Sequence, residues 1–275
     1  MKGADLFRER YGPWAAVAGA GEGLGAAFAD ALAAHGVHVV LIDRRADLLA
    51  ALAPRLERMH GVTVAPLVLD LAAADVVERV ARTTDDKDVG LLVYNAAHSP
   101  VGEYLEQTAE AHRRTLAVNC HAPALLVHHL GPRLRARGRG GILLMSSLSA
   151  FQGHPLLAHY AASKAYNLVL AEGLWDEWRG YGIDVLACCP GATRTPGYLA
   201  TRPATAGVWS PPEMEPDAVA RAALAALGRG PAVIPGLATR VGAFLLHRVL
   251  PRARAVTLMG RISRRLLAAT PPART

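Results

Sequence analysis

Two side chains four residues apart, Tyr160 and Lys164 in the string "HYAASKAYNLVL", can do proton chemistry together. On a helix that spacing puts both on one face, with Cβ atoms about 6 Å apart. A free tyrosine titrates near pH ~10, too high for a base at neutrality. A neighbouring ammonium favours the phenolate, and each pKa unit it removes is worth about 1.4 kcal/mol. The lysine stands out because, of thirty Lys plus Arg, only Lys2, Lys87 and Lys164 are lysine. A compact ammonium reaches hydroxyl groups as a point charge, where the planar fork of arginine is harder to seat. The competing reading is a lysine whose stem runs along an apolar helix to solvent.

A second string, "AGAGEGLGAAFADAL", follows a short apolar run and opens a helical pattern. Glycines there let the backbone turn tightly and approach a pyrophosphate resting on the positive helix N-terminus. Two spacings fit: Gly21, Gly23 and Ala26 as G-x-G-x-x-A, or Gly19, Gly23 and Gly25 as G-x-x-x-G-x-G, with Leu24 inside both. Eighteen residues after Gly25, Asp43 ends the next apolar run. An acid there accepts hydrogen bonds from adenosine ribose hydroxyls and repels a 2′-phosphate. Glu22 adds negative charge, whereas Arg44 and Arg45 pull the other way, since either can pair with that phosphate. The balance tips towards NAD over NADP.

These residues need elements to hold them. Seven apolar runs, at 14–19, 37–43, 62–70, 89–95, 140–147, 183–189 and 231–236, read as buried strands. Helical patterns lie between them near 23–35, 45–60, 72–83, 108–137, 158–179 and 216–228. The alternation predicts an α/β fold with a doubly wound parallel sheet, the Rossmann arrangement, over residues 1–236 as one domain. The Pro- and Gly-rich segment 196–215 reads as a long loop or flap over the substrate. Its Tyr198, Leu199, Val208 and Trp209 suggest an apolar pocket, fit for a lipid, steroid or acyl ketone.

Charge is unevenly spread. The last acid is Asp217, and ten arginines follow it, so residues 1–217 hold 20 bases against 23 acids, a net of −3. The net +7 of the whole chain therefore comes from the stretch after Asp217, whose tail, residues 237–275, reads as two amphipathic basic helices divided by Pro251. Aromatic residues are only 5% of the chain, too few for a base-stacking nucleic-acid groove. An odd number of cysteines, Cys120, Cys188 and Cys189, is no disulfide framework and suits a reducing cytoplasm. No apolar run reaches the ~20 residues of a membrane span.

Taken together, the strings resemble the short-chain dehydrogenase/reductase family from about residue 12 to 235. "AGAGEGLG" is similar to T-G-x-x-x-G-x-G, with Ala18 in place of Thr. "YNAA" is similar to N-N-A-G, with Tyr94 and Ala97 as departures around Asn95 and Ala96. "LDL" supplies Asp70 and Leu71, "VNCHAP" supplies Asn119, and "MSSLS" places Ser147 thirteen residues before Tyr160. "PGATRTP" resembles P-G-x-x-x-T through Pro190, Gly191, Thr193 and Thr195. The resemblance implies a nicotinamide cofactor, with Asp70 at the adenine amino group and Thr195 at the carboxamide. It implies that Tyr160 exchanges a proton with the substrate oxygen of a secondary alcohol or ketone. Lys164 would bind the nicotinamide ribose and lower the Tyr160 pKa, Ser147 would hydrogen-bond the substrate oxygen, and Asn119 would hold a relay water. A homodimer or homotetramer through the helices near 108–137 and 158–179 is implied as well.

Other residues tempt without converging. His121 and His128 are two helical turns apart, too far for one metal ion, so no metal is expected. His154 and His159 flank the reactive stretch and either line the substrate mouth or sit at the surface. Trp175 and Trp178, with Leu168 and Leu174, read as packing. A cofactor-binding regulator that kept the fold and lost the chemistry is the rival function. For the tail, a membrane-surface contact, a cap over the cleft and an oligomer contact all remain open.

Overall fold

The computed structural model describes residues 3–201 and 213–267. A short helix α1 (Gly3–Tyr11) leads into alternating strands and helices: β1 (Trp14–Ala18), α2 (Gly23–Ala34), β2 (His38–Asp43), α3 (Ala46–His60), β3 (Val64–Val68), α4 (Val76–Thr84) and β4 (Val89–Tyr94). The second half continues with α5 (Ala109–Leu116), α6 (Ala122–Arg137), β5 (Gly140–Met145), α7 (Ala158–Arg179), β6 (Ile183–Cys188), α8 (Pro196–Thr201), α9 (Pro216–Ala226) and β7 (Ala232–Val233). Two helices close the described chain, α10 (Leu237–Phe244) and α11 (Arg252–Leu267). All strand pairs are parallel, in the order β3-β2-β1-β4-β5-β6-β7. Strand order reverses between β1 and β4, which opens a crevice at the carboxyl ends of the strands.

The apolar runs become strands because both sheet faces are covered. Every residue of β4 and β5 is buried. Alternate side chains feed opposite cores: Leu91 and Val93 pack with Phe28 and Leu32 of α2, Leu92 and Tyr94 with Leu126 and Leu130 of α6. Burying one such side chain stabilises by roughly 1.5–3 kcal/mol. Leu168 joins the second core, with Leu174, Trp175 and Trp178 packed against it.

The helix expected over 108–137 is not continuous. Residues Ala117–His121 form a π turn between α5 and α6, in which the Ala122 N–H reaches back to the Ala117 carbonyl. Pro123 accounts for this, because it has no N–H for the carbonyls of the preceding turn. Val118 therefore loses its helical partner, and its carbonyl accepts the buried Tyr94 phenol at 2.6 Å instead.

The segment expected as a loop over 196–215 begins as a helix, α8. Val208 and Trp209 lie outside the described residues, as does 268–275. In the tail a π turn, Leu245–Val249, prolongs α10, and α11 starts just after Pro251. Ala255, Val256, Met259, Ile262 and Ser263 lie on the covered side of α11, whereas Arg254 and Arg261 are exposed. That side packs on the loop before α7: a Cβ on Gly260 would stand 2.9 Å from Pro155, and Val256 approaches Gly153. Among the described residues no helix is long and apolar enough to cross a membrane.

Candidate active site

A cleft of about 960 Å³ lies over the carboxyl ends of β1, β2, β4, β5 and β6. Of the residues singled out in sequence, Gly19, Gly23, Leu24, Asp43, Arg44, Asp70, Leu71 and the run Asn95–Ala97 line one half. Ser147, Tyr160, Lys164, Pro190, Gly191, Thr193 and Thr195 line the other. Gly21, Gly25 and Asn119 stand behind the wall and shape it.

The glycine loop is built for close approach. Gly19 adopts φ +77°, and a Cβ there would meet the Ala96 Cα at 2.6 Å. A Cβ on Gly25 would run into the Gly19 carbonyl oxygen, so only glycine lets α2 start so near β1. The Asn95 side chain ties the loop to β4 by donating to the Gly19 carbonyl at 2.8 Å. Glu22 caps α2 without a side-chain hydrogen bond, which leaves the first N–H groups of the helix free for an anion. Those donors and the missing Cβ atoms fit a dinucleotide pyrophosphate.

Charged side chains gather at the β2 and β3 end of the cleft. Asp43 already accepts from Gly21 N at 2.9 Å and from Arg45 N at 3.0 Å, one bond on each oxygen. Arg45 turns to Glu22 and Asp47, at 3.2 and 3.5 Å. Arg44 is exposed and lines the cleft. The Asp70 carboxylate accepts from the single nitrogen Nη2 of Arg114 on both oxygens, at 2.8 and 3.0 Å, and also from the Ala72 N–H. Burial alone would raise the Asp70 pKa, but these partners outweigh it and hold the group below the usual carboxylate range. Arg114 carries no motif, and nothing in the sequence signals its pairing with Asp70.

At the other end, β5 runs straight into Ser146 and Ser147, while α7 presents Tyr160 and Lys164 one turn apart. The Ser147 hydroxyl lines the cleft with the Tyr160 phenol and acts to lower its pKa. Lys164 is 2% exposed, donates to the Met145 carbonyl at 2.8 Å and sits 5.6 Å from the Tyr160 ring centroid. Ser146 fixes the same turn of α7 from below, donating to the Lys164 carbonyl at 2.8 Å. Burial disfavours both charged forms: it pushes Lys164 down to about 8 and Tyr160 upward, the latter against the lowering influence of Ser147. Lys164 therefore keeps its charge below about pH 8, while Tyr160 rests as the phenol.

Asn119 is fully buried. Its Oδ1 accepts from His98 N at 2.7 Å, and its Nδ2 donates to the His98 carbonyl and to Ser163 Oγ, both at 2.9 Å. Both amide protons are thus spent on bracing the 98 loop against α7. The relay water expected at Asn119 would have to use an acceptor there.

The tail forms the far wall. Ala243 and Leu246, with Met259, Ile262 and Ser263 of α11, line the cleft opposite Tyr160. His154 spans the gap, with Nδ1 2.9 Å from Ser149 Oγ and Nε2 2.7 Å from Ser263 Oγ. Burial lowers its pKa, so the ring is neutral at pH 7 and bridges two hydroxyls. His159 pairs instead with His112, nitrogen to nitrogen at 2.7 Å. Among the described residues no cluster of metal-binding side chains converges.

A parallel sheet with a glycine crevice at its reversal point, facing a Ser–Tyr–Lys set, defines a dinucleotide-dependent oxidoreductase. The chain belongs to the short chain dehydrogenase family, whose model matches residues 13–204. It is 35% identical over 197 residues to a 7beta-hydroxysteroid dehydrogenase of Clostridium sardiniense, covering 72% of this chain and 76% of that one. A structure described as giving insights into 7beta-hydroxysteroid dehydrogenase stereoselectivity superposes with TM-score 0.85 at 27% identity, over 92% of this chain and 98% of that one. A Sphingobium yanoikuyae short-chain dehydrogenase in complex with NADPH gives TM-score 0.73 at 34% identity, over 84% and 92%. The chain is also similar to a Homo sapiens protein named inactive hydroxysteroid dehydrogenase-like protein 1, 34% identical over 190 residues, 68% of this chain and 57% of that one.

Proposed function

We propose that the chain reduces a bulky apolar ketone of the steroid class, or oxidises the matching alcohol, with Tyr160 as the proton donor and acceptor. The observation that carries this reading is the convergence of Ser147, Tyr160 and Lys164 on one wall of a cleft whose opposite wall is apolar. A nicotinamide cofactor, when bound, supplies or takes up the hydride. The Gly19–Gly25 loop and the α2 N-terminus would hold its pyrophosphate, Asp70 and Leu71 its adenine, and Thr195 its carboxamide. Lys164 would release the Met145 carbonyl in part to reach the ribose hydroxyls. Ser147 would donate to the substrate oxygen where charge develops, and Tyr160, already protonated, would deliver the proton in the direction of reduction. Asn119 acts as a brace for the 98 loop and α7.

Asp43 favours NAD in sequence, yet both its oxygens accept backbone N–H groups, while Arg44 faces the cleft with Arg45 drawn away. That arrangement supports NADP, whose 2′-phosphate needs a free guanidinium more than a further acceptor. A regulator without chemistry is the reading suggested by relatives named inactive. Against it, this chain keeps Tyr160, Lys164 and Ser147 on the cleft, with Asn119 bracing α7 behind them through Ser163. Exposed Leu116, Tyr166 and Val169 on α5 and α7 support pairing of two copies there.

Following NADPH and NADH absorbance with a panel of hydroxysteroids, oxosteroids and simple ketones tests the proposal. Turnover is expected with a bulky ketone and NADPH. Cofactor binding without turnover of any candidate would instead establish the regulator.

A further inference from the structure

The outward side of α10 and the π turn that prolongs it carries Leu237, Val241, Phe244, Leu245 and Val249, exposed by 69, 51, 60, 52 and 62%. Their spacing, i, i+4, i+7, i+8 and i+12, is that of one helical stripe. The other side of this segment, through Thr239, Ala243 and Leu246, already lines the cleft. A surface helix ordinarily turns polar residues outward, so a segment apolar on both sides has a second face to cover. The charges around the stripe share one sign. Arg240, Arg248 and Arg252 are exposed beside it, and Arg254, Leu258 and Arg261 continue the exposed side of α11. No Asp or Glu follows Asp217 in the sequence.

We propose that this face docks on an anionic lipid bilayer. The stripe would enter the headgroup boundary, while arginine stems lie along it and their guanidinium groups reach lipid phosphates. Residues 1–217 carry a net −3 and are repelled by the same surface, so the charge asymmetry orients the molecule tail-side down. A second copy meeting this face symmetrically would set arginines against arginines with no carboxylate on either side, which disfavours self-association here. Docking would also bring the mouth of the cleft to the lipid, a consequence that rests on the apolar substrate proposed above; the docking itself does not.

The test is flotation of the full chain with vesicles of phosphatidylcholine alone and of phosphatidylcholine mixed with phosphatidylglycerol, at low and high salt. The chain is expected to float with the mixed vesicles, to stay behind with the neutral ones, and to be released by salt. The double variant Phe244→Ser with Leu245→Ser, neither residue lining the cleft, should lose about tenfold or more of the partitioning and keep its ketone reductase activity in lipid-free buffer. Equal flotation with both vesicle types, no flotation at all, or a double variant that floats like the parent would overturn the proposal. So would a double variant that floats normally but shrinks on lipid-free gel filtration, since the stripe would then join copies of the chain. Flotation is read without turnover, so an inactive protein leaves the outcome legible.

Discussion

The Tyr94 phenol donates to the Val118 carbonyl at 2.6 Å, joining the end of β4 to the π turn that carries Asn119. At this position the resemblance leads one to expect an asparagine, and the tyrosine replaces its bracing with one bond to a carbonyl that Pro123 has orphaned. Burial pushes the phenol pKa upward, so it remains a donor at any working pH. Tyr94→Phe leaves that buried carbonyl without a partner, at a cost of about 1–3 kcal/mol. Urea denaturation should show the lower midpoint with an unchanged slope; an unchanged midpoint would mean the bond contributes nothing.

Lys164 is a stability liability. Its folded pKa of about 8 lies below the ordinary 10.5, so between these values the unfolded chain binds more protons and stability rises with pH. Below about pH 8 the buried ammonium is a standing cost. Lys164→Met should be as stable as the parent, within about 1 kcal/mol, or more stable at pH 7, and should lose the rise above pH 8. Its turnover should fall by about a hundredfold or more. Paired denaturation curves at pH 7 and 9.5 check the sign.

Arg44 bears on the choice of cofactor. If it holds the 2′-phosphate, Arg44→Ala should weaken NADPH binding by about ten- to a hundredfold while barely changing NADH. Titrating both by the change in protein fluorescence decides this, and equal losses for the two would return the assignment to Asp43.

The His154–Ser263 bond, at 2.7 Å, latches α11 to the segment before α7. Ser263→Ala removes one hydrogen bond, about 1 kcal/mol, and should raise KM for a bulky ketone about fivefold with kcat within about twofold. A small ketone that does not reach α11 should show no change. Equal effects on both substrates would show that the latch does not shape the pocket.

The sequence foretold the sheet because strands buried on both faces must be apolar throughout, and β4 and β5 are. Tyr160 and Lys164 were legible because helical spacing alone puts them together. Pairings across long separations were not: Arg114 with Asp70, or Lys164 with the Met145 carbonyl, depend on which strand end meets which helix turn. The tail gave up its amphipathic pattern, but a covered face does not say what covers it. Only the packing of Met259, Ile262 and Ser263 against the cleft identifies α11 as a wall of the site. Helix α1 escaped notice because it is short and charged, and its anchor, Arg10 and Tyr11 on Asp184, spans most of the chain.

The central claim is that the Tyr160 phenol moves the proton. Single-turnover reduction of a bulky ketone by the Tyr160→Phe variant, measured beside its NADPH dissociation constant, tests this most directly. The account predicts a rate lower by about a thousandfold or more, with the dissociation constant within about threefold of the parent. A variant that reduces the ketone at the parent's rate would contradict it.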